Sequence, residues 1–200
     1  VSRAIRVGLT GGLASGKSTV AGWLSEAGFR VVDADALVAE LYRPGGEGTE
    51  AVRRLFGPEM LNAEGGVDHA QVAARIFSDP DARRQLEQVI HPLVRRKFAE
   101  IAADAHGVVV LEATLLVEAG YAQDFDFIVS VECEGMARLR RAMSRGMDET
   151  SARARLVAQG SGDERRKAAH RILDNCGDLT HLHRQVDELI EELGRMSERD

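Results

Sequence analysis

The stretch Ile5-Arg6-Val7-Gly8-Leu9-Thr10-Gly11-Gly12-Leu13-Ala14-Ser15-Gly16-Lys17-Ser18-Thr19 decides the fold of this 200-residue chain. Its first six residues read as a short strand and glycines follow. Val20, Leu24 and Ala27 then recur at helical spacing until Gly28 closes the helix. From Gly11 to Ser18 the residues fit the pattern Gly, any four, Gly, Lys, Ser or Thr, in the strand-to-helix setting that a phosphate-binding loop requires. Glycines let successive backbone N–H groups turn toward one phosphate, and the first turn of the helix adds the positive end of its dipole. Gly11, Gly12, Leu13, Ala14, Ser15, Gly16, Lys17, Ser18 and Thr19 are therefore candidate ATP-binding residues, with Lys17 bridging the β- and γ-phosphates and Ser18 ligating Mg²⁺. Agreement of motif and setting disfavours the plainer reading, a glycine-rich turn that merely caps a helix.

Outward from the loop, 29–32 reads as a second strand ending at Asp33, and 34–42 as a helix stopped by Arg43-Pro44-Gly45-Gly46. Helical periodicity over 49–61 and 68–77 alternates with the turns Gly57-Pro58 and Gly65-Gly66, and it runs from 81 to 105 with an interruption at His91-Pro92. Val108 to Leu111 is apolar without a break, as in a strand covered on both faces of a parallel sheet. The run 127–131 is similar, and 171–173 reads as a last short strand. Helices are expected over 136–144 and 149–159, and Leu179, Leu182, Val186, Leu189, Ile190 and Leu193 line one face of a closing helix. Strands alternating with helices predict a doubly wound α/β fold on a parallel sheet.

The composition, 44% hydrophobic and 29% charged, is that of a globular domain and opposes disorder. No apolar run approaches the ~20 residues that span a bilayer. The first ten residues hold too short an apolar stretch for a signal-peptide core, so a cytoplasmic protein without a membrane partner is expected. Cys133 and Cys176 lie far apart without metal-site spacing and read as packed thiols. A net charge of −6 opposes binding to nucleic acid, yet residues 134–171 carry ten Lys and Arg against five Asp and Glu, a segment that suits an anion. Trp23 and the other sparse aromatics read as core.

A phosphate loop does not by itself separate a kinase from a switch or a motor. The chain has no Asn-Lys-x-Asp motif, and Asp174-Asn175 lacks the lysine, which argues against a GTPase. Asp33-Ala34-Asp35 ends the second strand, near the carboxyl edge where ligands of open α/β sheets gather. A carboxylate there can take the proton of an attacking hydroxyl and hold its oxygen in line with the γ-phosphate, or Asp35 can simply cap the helix that follows. Past Glu134, Arg138, Arg141 and Arg145 form one helical stripe and Met136, Leu139 and Met143 another. Arg138 reads as part of a solvated face. Arg141 and Arg145 are candidates to reach the transferring phosphoryl group from a mobile lid.

The chain resembles the dephospho-coenzyme A kinases, which phosphorylate the ribose 3′-hydroxyl of dephospho-CoA with ATP. Gly8-Leu9-Thr10-Gly11-Gly12 with the loop, Val32-Asp33-Ala34-Asp35, Pro44-Gly45, Gly66-Val67-Asp68, and Ile76-Phe77-Ser78-Asp79-Pro80 carry the resemblance. It continues through Val89-Ile90-His91-Pro92-Leu93-Val94, Leu115-Leu116-Val117-Glu118, Gln159 and Leu173-Asp174-Asn175-Cys176-Gly177. It implies a P-loop NTPase-type three-layer α/β/α sandwich with a five-stranded parallel sheet. The nucleotide-binding core would comprise 1–47, 106–133 and 166–200, the helical acceptor-binding region 48–105 and the lid 134–165. It also implies that Asp35 is the base or orienting carboxylate, that Lys17 and Arg141 neutralise the phosphoryl group, and that Asn175 lies near the adenine. Asp33, His91 and Leu115 would lie along the acceptor site, although His91 taken alone reads as a buried histidine beside a proline irregularity.

Three departures from that pattern stand out. Ala14 replaces a loop glycine, Glu112-Ala113-Thr114 replaces Asp-x-Pro, and His69 and His170 stand where Arg and Asp are expected. The expected activity is ATP- and Mg²⁺-dependent phosphorylation of dephospho-CoA by a monomer or weak homo-oligomer. The rivals are a P-loop kinase for a nucleoside, nucleotide or shikimate-like acceptor, and a non-catalytic ATP-binding regulator.

Overall fold

Five strands form one parallel sheet in the order β2-β3-β1-β4-β5 in the computed structural model, which describes residues 3–198. The central strand β1 (Ile5–Gly11) is flanked by β3 (Val108–Glu112) and β4 (Phe127–Glu132), while β2 (Arg30–Asp33) and β5 (Arg171–Asp174) are the edges. Leu9 is in register with Glu112 on one side and Val129 on the other, so β3 delivers Glu112 beside the end of β1. Val108, Val109, Val110 and Leu111 are all buried whichever way they point, as an unbroken apolar strand in a parallel sheet requires.

Helices α1 (Lys17–Glu26) and α9 (Leu179–Ser197) supply the core on one face. Val20 and Leu24 of α1 and Leu182, Val186, Leu189 and Leu193 of α9 pack with Val7, Leu9, Val110, Val129 and Val131. Each such buried side chain contributes about 1.5–3 kcal/mol, which makes this seam the main support of the strand that carries the loop. Trp23 packs against the same core, as the sequence suggested. Gly8 points to the other face, where an added Cβ would sit 2.8 Å from Leu116 Cδ1 and 3.2 Å from Phe125 Cγ.

The chain divides into two compact units, one of residues up to Val32 and from Ala102 onward, the other Asp33–Ile101. In the first unit the basic segment folds as α6 (Gly135–Ser144), α7 (Glu149–Ala158) and a further short helix, α8 (Asp163–Ala168). The second unit holds α2 (Ala34–Leu41), α3 (Glu47–Phe56), α4 (His69–Ser78) and most of α5 (Pro80–Ala103). Helix α3 stops at Phe56, at the turn expected at Gly57-Pro58: Gly57 turns to φ +99° and Pro58 opens a separate 3-10 turn.

The break expected at His91-Pro92 is absent, and α5 runs through Pro92. An interior proline removes one helical hydrogen bond and costs roughly 3 kcal/mol. Against that, Ala82, Leu86, Ile90, Val94, Phe98 and Ala102 recur every fourth residue on both sides of Pro92 and all are buried. The continuous apolar stripe outweighs the lost bond. Among the described residues, no helix is long and apolar enough to cross a membrane.

Candidate active site

The loop leaves β1 at Gly11 and enters α1 at Lys17, so the first-turn N–H groups of α1 open toward the space above the sheet's carboxyl edge. A tight turn, Ser15 N–H to Gly12 C=O at 3.1 Å, bends it, and Gly16 C=O takes the N–H of Thr19 at 3.1 Å to start the helix. Gly16 has φ +106°, and a Cβ there would collide with the side-chain amide of Asn175. Lys17 is half-buried, with its stem folded across Gly11. Ser15 Oγ and Asn175 Oδ1 are buried without a hydrogen-bond partner among the described residues, an arrangement that suits a polar ligand at the loop.

Asn175, for which the family resemblance implies a place near an adenine, donates its amide nitrogen to Ser15 C=O at 2.7 Å, so the side chain anchors the loop from the end of β5. Arg141 donates through Nη2 to Asn175 C=O at 2.8 Å and rests Nη1 3.5 Å from the Sγ of buried Cys133. Arg145 is exposed and lines a hollow with Leu13, Ala14, Ala142, Gly146 and Met147. The expected solvated face does not include Arg138, which is only 6% exposed and donates through Nε to Leu13 C=O at 2.9 Å. Burial, with the charge of Arg165 behind it, pulls the Arg138 pKa below the ordinary arginine value. Cys176 is likewise not a packed thiol: it is exposed, and hydrogen-bonded Asp174 beside it pushes its pKa up to about 11.

Glu112, in sequence only a departure from the family pattern, holds the loop serine: Ser18 Oγ donates to Glu112 Oε1 at 2.8 Å. The signal was present, since a carboxylate ending the strand beside β1 must arrive near the loop's exit. Two hard oxygens, a hydroxyl and a carboxylate, fit Mg²⁺, which takes one or two protein ligands and completes its shell with phosphate and water. Glu118, in the Leu115-Leu116-Val117-Glu118 stretch, pairs with Arg165, which is fully buried and also lies 3.5 Å from Glu132. Leu115 is 37% exposed in the turn region after β3.

In the second unit, Asp33 is the cap of α2, accepting the N–H of Asp35 at 2.9 Å. The capping role thus falls to Asp33 and not to Asp35. Among the described residues no hydrogen bond or ion pair engages the exposed Asp35 carboxylate at the second position of α2. His91 is half-buried in α5, and burial pushes its pKa below the usual imidazole value against the opposing charge of Glu87.

Comparison with known proteins places this geometry. The CoaE dephospho-CoA kinase family model matches residues 5–181. The chain is 41% identical over 188 residues to the dephospho-CoA kinase of Mycolicibacterium paratuberculosis, covering 92% of this chain and 46% of that one, so it spans about half the length of this relative. It is 40% identical over 189 residues to the dephospho-CoA kinase of Leifsonia xyli, covering 92% and 96% of the two chains. The crystal structure of TT1252 from Thermus thermophilus superposes with a TM-score of 0.82 at 36% identity, over 96% of this chain and 99% of that one. A shikimate kinase from Bacteroides thetaiotaomicron shares the fold alone, with a TM-score of 0.54 at 14% identity over 94% and 98% of the chains. The chain belongs to the dephospho-CoA kinase family.

Proposed function

We propose that this protein transfers the γ-phosphoryl group of ATP to the ribose 3′-hydroxyl of dephospho-CoA, giving CoA and ADP, and that it works in the cytoplasm. The observation that carries the reading is the loop from Gly11 to Thr19, braced by Asn175 and facing the lid arginines, in a chain of this family. Phosphoryl transfer asks little covalent chemistry of a protein; it needs positioning and charge neutralisation. The loop's N–H groups and Lys17 hold the β- and γ-phosphates, and Arg141 meets the charge that spreads over the transferring group. Ser18 and Glu112 would hold Mg²⁺, which supplies neutralisation of phosphate charge. Asp35, whose carboxylate is engaged by no other group among the described residues, takes the proton of the 3′-hydroxyl and keeps its oxygen in line for attack. Residues 48–105 supply the acceptor site, with His91 and Leu115 beside it. Lid closure over 134–165 excludes the water that would otherwise hydrolyse ATP.

The test is an ATP-consumption assay with Mg²⁺ against dephospho-CoA, adenosine, AMP and shikimate, with the phosphorylated position determined. A 3′-phosphorylated product from dephospho-CoA alone is expected. Phosphorylation of another acceptor in its place overturns the acceptor assignment. Asp35→Asn is expected to lower kcat by about 10²–10⁴-fold, the usual worth of a general base, with ATP affinity unchanged. Near-wild-type turnover in that variant refutes the role of Asp35.

A further inference from the structure

The peptide of Leu13 is held at both ends by the lid. Its N–H donates to Gln159 Oε1 at 2.7 Å, and its C=O accepts from Arg138 Nε at 2.9 Å. The same Gln159 oxygen accepts Nη2 of Arg138 at 2.7 Å, so the two side chains and one loop peptide close a single network. Arg138 comes from the middle of α6, and Gln159 is the residue that ends α7. We propose that Arg138 and Gln159 are the positioning pair of the phosphate loop, fixing its crown so that ATP affinity depends on the docked lid; this rests on the kinase reading above.

Three observations converge on the pair. A glycine-rich loop has many backbone conformations, and catalysis by oriented N–H groups needs one of them. Pinning both polar groups of Leu13 selects that one. The arginine is nearly fully buried, and its Nε and Nη2 donate to a backbone carbonyl and an amide oxygen, so these donors are directed at the loop and its brace. Gly12 completes the fit: an added Cβ there would fall within the Arg138 guanidinium, so the glycine gives the arginine its place. Arg141, on the same helix, meanwhile grips Asn175, the loop's other anchor. One helix therefore braces the loop directly at its crown and, through Asn175, at its exit.

Calorimetric titration of ATP into variants shown to be folded by circular dichroism tests the pair. Arg138→Met and Gln159→Leu are each expected to weaken ATP binding by about tenfold to a hundredfold, the range for losing hydrogen bonds to a charged group, with KM for dephospho-CoA near wild type. The double variant should lose no more than the worse single one, because both break the same network. Gln159→Glu keeps an acceptor oxygen for both donors and should recover affinity to within about threefold of wild type. If Arg138→Met does not fold, Arg138→Lys, which keeps the charge but cannot reach both acceptors in the same fork, carries the same expectation. Wild-type affinity in Gln159→Leu beside a loss in Arg138→Met overturns the pair and makes Arg138 a direct phosphate ligand. Unchanged affinity in both with only a lower Tm reduces the contact to a structural one. The titration needs no acceptor, so a wild type that binds ATP but leaves dephospho-CoA untouched defeats the acceptor assignment alone.

Discussion

Ala14→Gly measures two opposed forces in the loop. Ala14 has φ +54°, the one positive-φ residue other than glycine among the described residues. A left-handed L-residue costs about 1–2 kcal/mol, which glycine does not incur. The Ala14 methyl, however, is buried at 9% exposure against Leu139 and Ala142 of α6 and Ala152 of α7. Losing that methyl, with the extra freedom glycine has in the unfolded chain, costs about 1.2–1.8 kcal/mol. The two nearly cancel, and Ala14→Gly should stay within about 0.5 kcal/mol of wild type, or about 2 °C in Tm for a chain of this size. Ala14→Val should do neither: a β-branched residue resists the left-handed region and overfills the contact, at about 3 kcal/mol or more. Thermal unfolding of the three proteins without nucleotide decides the matter. A rise above about 4 °C in Ala14→Gly shows that the methyl adds nothing, and a fall of that size shows that the loop is unstrained; either would refute the reasoning.

Glu118→Ala leaves the buried Arg165 with Glu132 as its one ion-pair partner among the described residues, and should cost about 2–3 kcal/mol in denaturant unfolding, just under the usual price of breaking a buried pair. A loss below about 0.5 kcal/mol would mean that Glu132 suffices. Glu112→Gln should raise the half-saturating Mg²⁺ concentration about tenfold at unchanged KM for ATP in excess metal, and an unaltered Mg²⁺ titration removes Glu112 from the metal site. His91 is held neutral by burial, so its folded pKa lies below the unfolded value near ~6.5 and the unfolded chain binds the proton first. Its contribution is complete above that pH and is lost as the pH falls through the folded pKa. The urea midpoint of wild type should therefore drop from pH 7.5 to pH 5.0 by more than that of His91→Gln, and parallel curves would contradict the assignment.

Much of the fold was legible because the deciding signals are local. Val108 to Leu111 names a buried strand by composition alone, and the loop motif names its own flanking strand and helix. Pro92 misled because proline chemistry is local while the stripe from Ala82 to Ala102 that overrides it spans 21 residues. Glu112 misled for a similar reason: compared with an expected aspartate it is a departure, but register places a carboxylate beside Ser18 in either case, and the longer side chain still reaches. Arg138 is the instructive failure. Helical spacing puts it on one stripe with Arg141 and Arg145, and an arginine stripe is usually solvated; spacing gives the direction of a side chain and not the acceptor that waits there. That acceptor is the Leu13 carbonyl, 125 residues earlier in the chain.

The same distance effect changes what the loop glycines are for. In the motif they let successive N–H groups turn toward one phosphate, and the loop stands as a self-contained cradle. Here the space that a Cβ would take at Gly12 belongs to Arg138, and at Gly16 to Asn175. Both side chains arrive from the far half of the sequence and hydrogen-bond loop carbonyls, at Leu13 and Ser15. The left-handed conformation of Ala14, between those two carbonyls, joins the two points of support, and its methyl packs on α6 and α7. Glycine at positions 12 and 16 is therefore a condition for the protein to hold its own loop before it is a condition for holding a nucleotide. A cradle supported in this way is organised in the free protein, so that, on the proposed kinase function, binding energy that would otherwise be spent ordering the loop is left for the transition state.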